Sequence, residues 1–318
     1  DAKGQDVAVT FYFQRAADPS GSVPPNDVWN VYATANGTAT ASSDYVAKSG
    51  VLNFADGINQ QTISVTINGD TIVDVSSAVA DVPHVGPGDL ISRVIENWAT
   101  YHSKIAAAAQ GAGVPVSSVR LRAPLPKPGK MLFMVANYLE NGALEKPNPI
   151  NAFLKSPAAV IGDLDTVTLT EQPATIFHHE AEVGCVIGKK GKDIPESEAR
   201  SYIFGYFNSC DVSARNLGAA PMDSFFPVKS THTAAPQGPY LVTADEIGNP
   251  QDIHMQLWVN GQLRQDYSTS DMGYTIEKTI SWLSTVTTLN PGDVVSLGTN
   301  HQGLGALQDG EFVEQEGA

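Results

Sequence analysis

The chain has 318 residues, of which 42% are hydrophobic and 17% charged, the balance of a globular protein with room for one large domain or two ordinary ones. Its formal net charge of −15 leaves no basic patch to meet phosphates, which argues against nucleic acid and anionic membrane as partners. No apolar run approaches the ~20 residues that span a bilayer, a cytoplasmic location is expected, and the two cysteines, Cys185 and Cys210, lie in strand-like apolar runs and read as a buried reduced pair.

Residues 1–66 have their own character. Val7, Val9, Phe11 and Phe13 alternate with Ala8, Thr10 and Tyr12, a two-residue period that predicts a strand. Turn signals follow at Asp18-Pro19-Ser20-Gly21, Asn36-Gly37, Ser49-Gly50 and Asp56-Gly57, so the segment is expected to be antiparallel and sandwich-like. Ala33 to Thr40, Ser43-Asp44-Tyr45, Phe54-Ala55-Asp56-Gly57 and Ile67 to Asp74 resemble a Calx-beta domain, spanning about residues 7–74. That resemblance implies an immunoglobulin-like β-sandwich, in some members of which Ca²⁺ is bound. The likeness stops at Asp74 and Gly69 replaces one acidic position, so Ca²⁺ is not expected here, because it needs six to eight oxygen ligands.

Residues 67–129 are expected to form a small region of their own. Ser76 to Pro87 reads as a polar connection. Asp89 is expected to cap a helix whose apolar face is Leu90, Ile91, Val94, Ile95, Trp98 and Ile105. Pro124 to Gly129 reads as a stiff linker into a third unit, residues 130–318. That unit opens with a fully apolar run, Met131 to Ala136, expected to be a buried strand. Further on, Asp193 to Glu196 begins a short helix, Asn260-Gly261 predicts a hairpin turn, Ile276 to Val286 an amphipathic helix after Thr275, and Val294 to Leu297 a strand.

Between these lies the stretch with the most chemistry, Phe177 to Asp211. On a strand, Glu180 and Glu182 share one face and Ala181 the other. Two carboxylates so close repel; a hard divalent cation removes the repulsion, and Asp211, from a neighbouring strand, would complete a facial oxygen set. The bland alternative is a solvated strand face that carries two acids.

His179 to Lys189, with Asp211-Val212-Ser213-Ala214-Arg215-Asn216, resembles the metal-binding segments of the fumarylacetoacetate hydrolase family. The likeness continues through Lys229-Ser230, Gly238 to Ile247, Leu257 to Gly261, Asp271-Met272, Leu289 to Asp293 and Gly298-Thr299-Asn300, and covers about residues 121–318. Gly69 to Val75 also suits that family's small N-terminal domain. The resemblance implies a β-rich α+β fold, a mixed β-sandwich roll preceded by the sandwich-like segment, assembled as a homodimer. It implies Mg²⁺ or Mn²⁺ held by Glu180, Glu182 and Asp211, with Arg215 and Lys229 at the substrate, a small 2-oxo or 1,3-dioxo acid cleaved at a C–C bond through an enolate. Lys229 is further expected to have a lowered pKa and to act as an acid. Decarboxylases, hydratases and isomerases share the enolate step, and a catalytically silent binding module is the alternative from another class.

Two departures stand out. After Asn137-Tyr138, hydrolytic members place a water-activating His and Glu at what are here Asn141 and Leu144, and an amide is no base near neutral pH. Glu140, Glu145, His178 or His179 are the candidate replacements, with His301 a further proton-transfer candidate. The second departure is His232, where an Asp is usual; it stands to replace that carboxylate's contact or serve as a base. Tyr138, Asn141, Thr233 and Thr299 are the expected substrate contacts.

Overall fold

The computed structural model describes residues 71–86, 88–169, 174, 176–215 and 225–304, together with the backbone of the strands Ala8–Ala16, Val28–Asn36, Val65–Asn68, Ala306–Gln308 and Glu311–Val313. Ala8–Ala16 pairs antiparallel with Val28–Asn36, Tyr12 opposite Tyr32. The Calx-beta-like stretches at Ser43-Asp44-Tyr45 and Phe54 to Gly57 lie outside the described residues.

A small unit follows. Val65–Asn68 pairs with Thr71–Asp74, which also pairs with Val114–Pro115, so the expected 66/67 boundary falls inside a strand. Val73, Val75, Val79, Val82, Leu90, Val94, Tyr101 and Ile105 form its core. Four expectations need correction here. Ser76 to Pro87 is no polar connection, since Val79 and Val82 are buried in that core. The single helix is two, Leu90–Glu96 and Trp98–Ala108, because the Asn97 side chain donates to the Arg93 carbonyl (2.9 Å) and closes the first. Asp89 makes no side-chain cap; its carboxylate accepts from Val85 N–H and Arg93 Nε, each at 3.2 Å. The Pro124–Gly129 stretch is likewise no exposed linker, because Leu125 is fully buried beside Met131 and Phe133.

The main sheet runs in the order Val242–Thr243, Ile203–Arg215, Ile176–Ile187, Val294–Ser296, Met131–Met134, Ala152–Lys155. Its central strands are buried on both faces, which is why Met131–Met134 reads as unbroken apolar sequence. The two-residue period sorts the side chains between two cores. Leu132, Met134, Val183, Cys185, Ile187 and Val295 face one, closed by Ile276, Ile280 and Leu283 of the helix Ile276–Val286. Met131, Phe133, Val186 and Val294 face the other. The helix starts where expected, with Thr275 accepting from Lys278 N–H at 3.1 Å. The hairpin His254–Val259/Gln262–Ser268 turns at Asn260 (φ 53°) and Gly261 (φ 76°), the positive angles a two-residue turn requires.

Gly184 lies opposite Phe207 on the adjacent strand, and a Cβ there would sit 2.5 Å from Phe207 Cζ. Gly184→Ala is expected to destabilise the fold by about 1–3 kcal/mol, read as a drop in Tm of roughly 2–10 °C. An unchanged Tm would show that Phe207 yields freely, against the close packing described.

Candidate metal centre

Glu180 and Glu182 come from the strand Ile176–Ile187 and Asp211 from Ile203–Arg215. The latter continues five residues past the apolar run seen in sequence, ending at Cys210, so Asp211 lies within the strand. The antiparallel register sets Asp211 opposite Glu180, Ser209 opposite Glu182 and Ser213 opposite His178. All three carboxylates are buried, and one oxygen from each lies within 4.8 Å of the others. Directly opposed like charges destabilise a strand pair, so this register holds only with positive charge nearby.

Two lysines supply it. Lys229, at the end of the short helix Phe225–Lys229, donates to Glu180 Oε2 and to Asp211 Oδ2, both at 2.7 Å. Lys155, wholly buried, donates to the other oxygen of Asp211 and to the Val212 carbonyl (3.0 Å). Arg215 reaches Glu180 Oε1 at 3.4 Å, and Ser213 Oγ donates to the same oxygen at 3.2 Å. Ser296 Oγ and Gly298 N–H both donate to Glu182 Oε2.

The charges respond unequally. Burial pushes the Glu182 carboxyl up to about 8, with repulsion from Asp211 and Glu180 adding to it. Burial likewise raises Asp211 against the pull of Lys155 and Lys229. Burial acts on Glu180 in the same sense, but Lys229, His178 and Arg215 outweigh it and hold this carboxyl well below the usual range. For Lys229, burial lowers the pKa and Glu180 with Asp211 more than restore it, so the net shift is upward. The expectation that Lys229 has a lowered pKa and gives up its proton is therefore corrected: it is held as an ammonium.

The donor set fits a hard divalent ion. Every ligand atom is a carboxylate oxygen, the choice of Mg²⁺ and Mn²⁺ over softer metals. Burial first, and the Asp211 and Glu180 carboxylates after it, favour a proton on Glu182, a place that a bound cation can take instead. Glu180, Glu182 and Asp211 would hold the ion.

The other expected site residues divide. Arg215 and Lys229 contact the carboxylates, whereas Glu140 contacts His301. Glu140 comes from the segment after Met131–Met134; its Oε2 accepts from His301 N–H (2.7 Å) and its Oε1 lies 2.9 Å from His301 Nδ1. Glu145 is exposed, with no recorded contact to the cluster. His179 points to the face opposite Glu180, and burial lowers its pKa to about 4. His178 shares the ligand face, with Nδ1 3.8 Å from Glu180 Oε1. His232 is exposed and replaces no buried contact.

Tyr138 is wholly buried in the apolar core, its ring edge-on to Tyr267 with centroids 5.0 Å apart, and is not at a substrate surface. Thr233 is buried and bonded to Thr168 N–H (2.7 Å), while Thr299 Oγ1 donates to the Ala181 carbonyl (2.7 Å) and accepts from Gln265 Nε2 (2.8 Å). Both hydroxyls thus have structural partners. Asn141 is exposed and donates through its backbone to Asp271 Oδ2 at 2.8 Å. Sequence reasoning missed Lys155, Ser213, Ser296 and Gly298. The sequence hides Lys155: it shares a buried strand face with Phe153, whereas the apolar Leu154 between them is exposed.

Residues 133–318 match the family described as Fumarylacetoacetate (FAA) hydrolase C-terminal, and residues 25–79 match the Calx-beta domain. The chain is 32% identical to oxaloacetate tautomerase YisK of Bacillus subtilis over 267 residues, 78% of this chain and 88% of that one. It is 30% identical to maleylpyruvate hydrolase of Aquipseudomonas alcaligenes over 270 residues, 79% of this chain and 91% of that one. Among solved structures, maleylpyruvate hydrolase from Sphingobium sp. SYK-6, in complex with manganese(II) ion and pyruvate, superimposes with a TM-score of 0.67 at 32% identity, covering 74% of this chain and 85% of that one.

Metal binding has a pH signature. The folded-state pKa of Glu182 lies above its unfolded value, so its contribution to metal-free stability declines as pH rises from the ordinary carboxylate range toward about 8. An ion must displace that proton, so binding strengthens over the same window. Mg²⁺ or Mn²⁺ at a fixed concentration, about a hundredfold over the Kd at pH 8, is expected to stabilise the wild type by about 2.7 kcal/mol there, with a smaller gain in Tm at pH 6. Asp211→Asn is expected to lose that gain; an equal gain in both proteins would remove these carboxylates as ligands.

Proposed function

The chain belongs to the fumarylacetoacetate hydrolase family, and on that premise we propose that it is a divalent-metal-dependent hydrolase that cleaves a C–C bond in a small 2,4-dioxo acid of the acylpyruvate type. The observation that carries this reading is the Lys229 ammonium, buried and shared between Glu180 and Asp211 at 2.7 Å to each. A cationic donor fixed beside an all-carboxylate cluster suits an anionic substrate whose neighbouring oxygens develop charge in the reaction.

The bound ion would supply Lewis-acid stabilisation of an enolate oxygen. The remaining work falls to side chains. Lys229 stays protonated and donates to the substrate oxygens. Arg215, about a quarter exposed, is placed to meet a substrate carboxylate. Lys155 holds Asp211 in orientation from behind, and Ser296 with Gly298 N–H fixes Glu182. The similarity to a maleylpyruvate hydrolase holding manganese and pyruvate supports the same reading.

A second reading, keto–enol tautomerisation of a four-carbon 2-oxo dicarboxylate, is favoured by Asn141 and Leu144, which stand where the water-activating pair was expected, and by the similarity to an oxaloacetate tautomerase. A homodimer belongs to the same proposal, supported by the exposed apolar Leu154 and Phe226 on neighbouring elements.

The test is a screen of acylpyruvates, fumarylpyruvate and oxaloacetate with Mg²⁺ and Mn²⁺, with and without chelator. Hydrolysis of a 2,4-dioxo acid that chelator abolishes is the expected result. Turnover of oxaloacetate alone would replace the hydrolase by the tautomerase reading, and no turnover of any 2-oxo acid would reject both.

A further inference from the structure

Each reaction just considered needs a group that takes a proton, and the candidates narrow quickly. Asn141 is an amide. Glu145 and His232 are exposed, and His179 faces away from the cluster. His178 lies against Glu180, one of the ligands. His301 differs from all of these in its setting.

We propose that His301 is the base of this enzyme, acting through Nε2, and that Glu140 is its positioning residue. The inference rests on reading the carboxylate cluster as a 2-oxo acid site. Both oxygens of Glu140 are committed to His301, one to its backbone N–H at 2.7 Å and one to Nδ1 at 2.9 Å. A carboxylate at Nδ1 keeps the proton there, so the neutral ring presents its lone pair at Nε2. Among the described residues no side chain is recorded on Nε2, and the His301 side chain is 25% exposed, enough to be reached.

The pair is also built into the site. Three residues before His301, Gly298 N–H donates to Glu182, and between them Thr299 Oγ1 donates to the Ala181 carbonyl. From the other side, Asp271 Oδ2 accepts from Asn141 N–H (2.8 Å) and from Asn300 Nδ2 (3.1 Å), clamping the Glu140 segment to the His301 segment. Gln302 Nε2 closes the clamp on the Glu140 carbonyl at 2.6 Å. Glu140 itself is held at φ 56°, a region non-glycine residues seldom adopt and that needs such support.

Charged groups face His301 from three elements: Glu140 from its own clamp, Glu180 from the sheet and Lys229 from its helix. Burial lowers the pKa of His301 and Lys229 adds to that, but Glu140 and Glu180 outweigh them, so the net shift is upward. For hydrolysis the step balances as follows. His301 Nε2 takes a proton from water as the water oxygen bonds to C4 of the 2,4-dioxo acid. The C3–C4 bond then breaks with its electron pair left on C3 as an enolate, and C3 takes the proton from His301. The products are a carboxylic acid and a 2-oxo acid.

The test uses the full chain with Mn²⁺ and the substrate turned over by wild type. His301→Gln is expected to keep the Mn²⁺-dependent gain in Tm and a KM within a few-fold of wild type while kcat falls by about 10²–10⁴. Glu140→Gln is expected to lower kcat less and to move the acid limb of the kcat profile to lower pH, because it removes a charge that raises the His301 pKa. His301→Ala is expected to regain turnover with added imidazole, a response that a purely structural histidine would not give. A kcat for His301→Gln within tenfold of wild type overturns the proposal, as does an acid limb unmoved by Glu140→Gln. If His301→Gln loses its Mn²⁺ response, the imidazole experiment decides: rescue supports the base and its absence overturns it. If wild type turns over no 2-oxo acid, the substrate reading fails and this inference with it, whereas wild-type turnover with an indifferent His301 rejects the pair alone.

Discussion

The structure depends on the contact between Asp211 and its two lysines. Three carboxylates buried on adjacent strands cannot coexist without counter-charge, since removing an ion from water costs several kcal/mol even after relaxation. Lys155 and Lys229 grip Asp211 by its two oxygens, and Lys229 also reaches Glu180, so one ammonium spans both strands. The lysines bring their own elements with them. Lys155 ends the edge strand Ala152–Lys155, and Lys229 ends a short helix that packs back on that strand, where Phe225 stacks on Phe153 at 4.9 Å between ring centroids. Electrostatics and apolar packing thus close the same corner of the molecule.

How much of this was readable beforehand follows from the range of each interaction. Glu180, Glu182 and the helix Ile276–Val286 were legible because their logic is local: a period of two on a strand, and a capping threonine before a helical stripe. Tyr138 was misplaced for an equally local reason that the sequence hides. Ala136 adopts φ 45°, which breaks the alternation after Met131–Met134 and sends the following side chains in directions no period predicts. Asp89 looked like a helix cap, but Arg93 and Val85 compete for its carboxylate.

The long-range partners were invisible for a different reason. Glu140 and His301 are separated by 161 positions, and Lys155 and Asp211 by 56. No spacing rule connects such residues; only the strand order of the sheet brings them together. The acidic cluster as a ligand set could be proposed from the sequence, whereas its lysine counter-charges and the histidine clamped beside it needed the fold.

The pairing of Ile176–Ile187 with Ile203–Arg215 carries a further consequence. Glu180 and Glu182 alternate with Ala181 and Val183, so a slip by one position would carry the two acids into the core lined by Val183, Cys185 and Ile187 and set those residues on the ligand face. Misalignment is therefore self-reporting: no mispaired state keeps a sound interior while losing only the ligands, or the reverse. An insertion or deletion within either strand is judged twice by the same misfit, as a fault of packing and as a fault of chemistry. Variation in this lineage would be channelled away from the strand pair and into the loops at its ends.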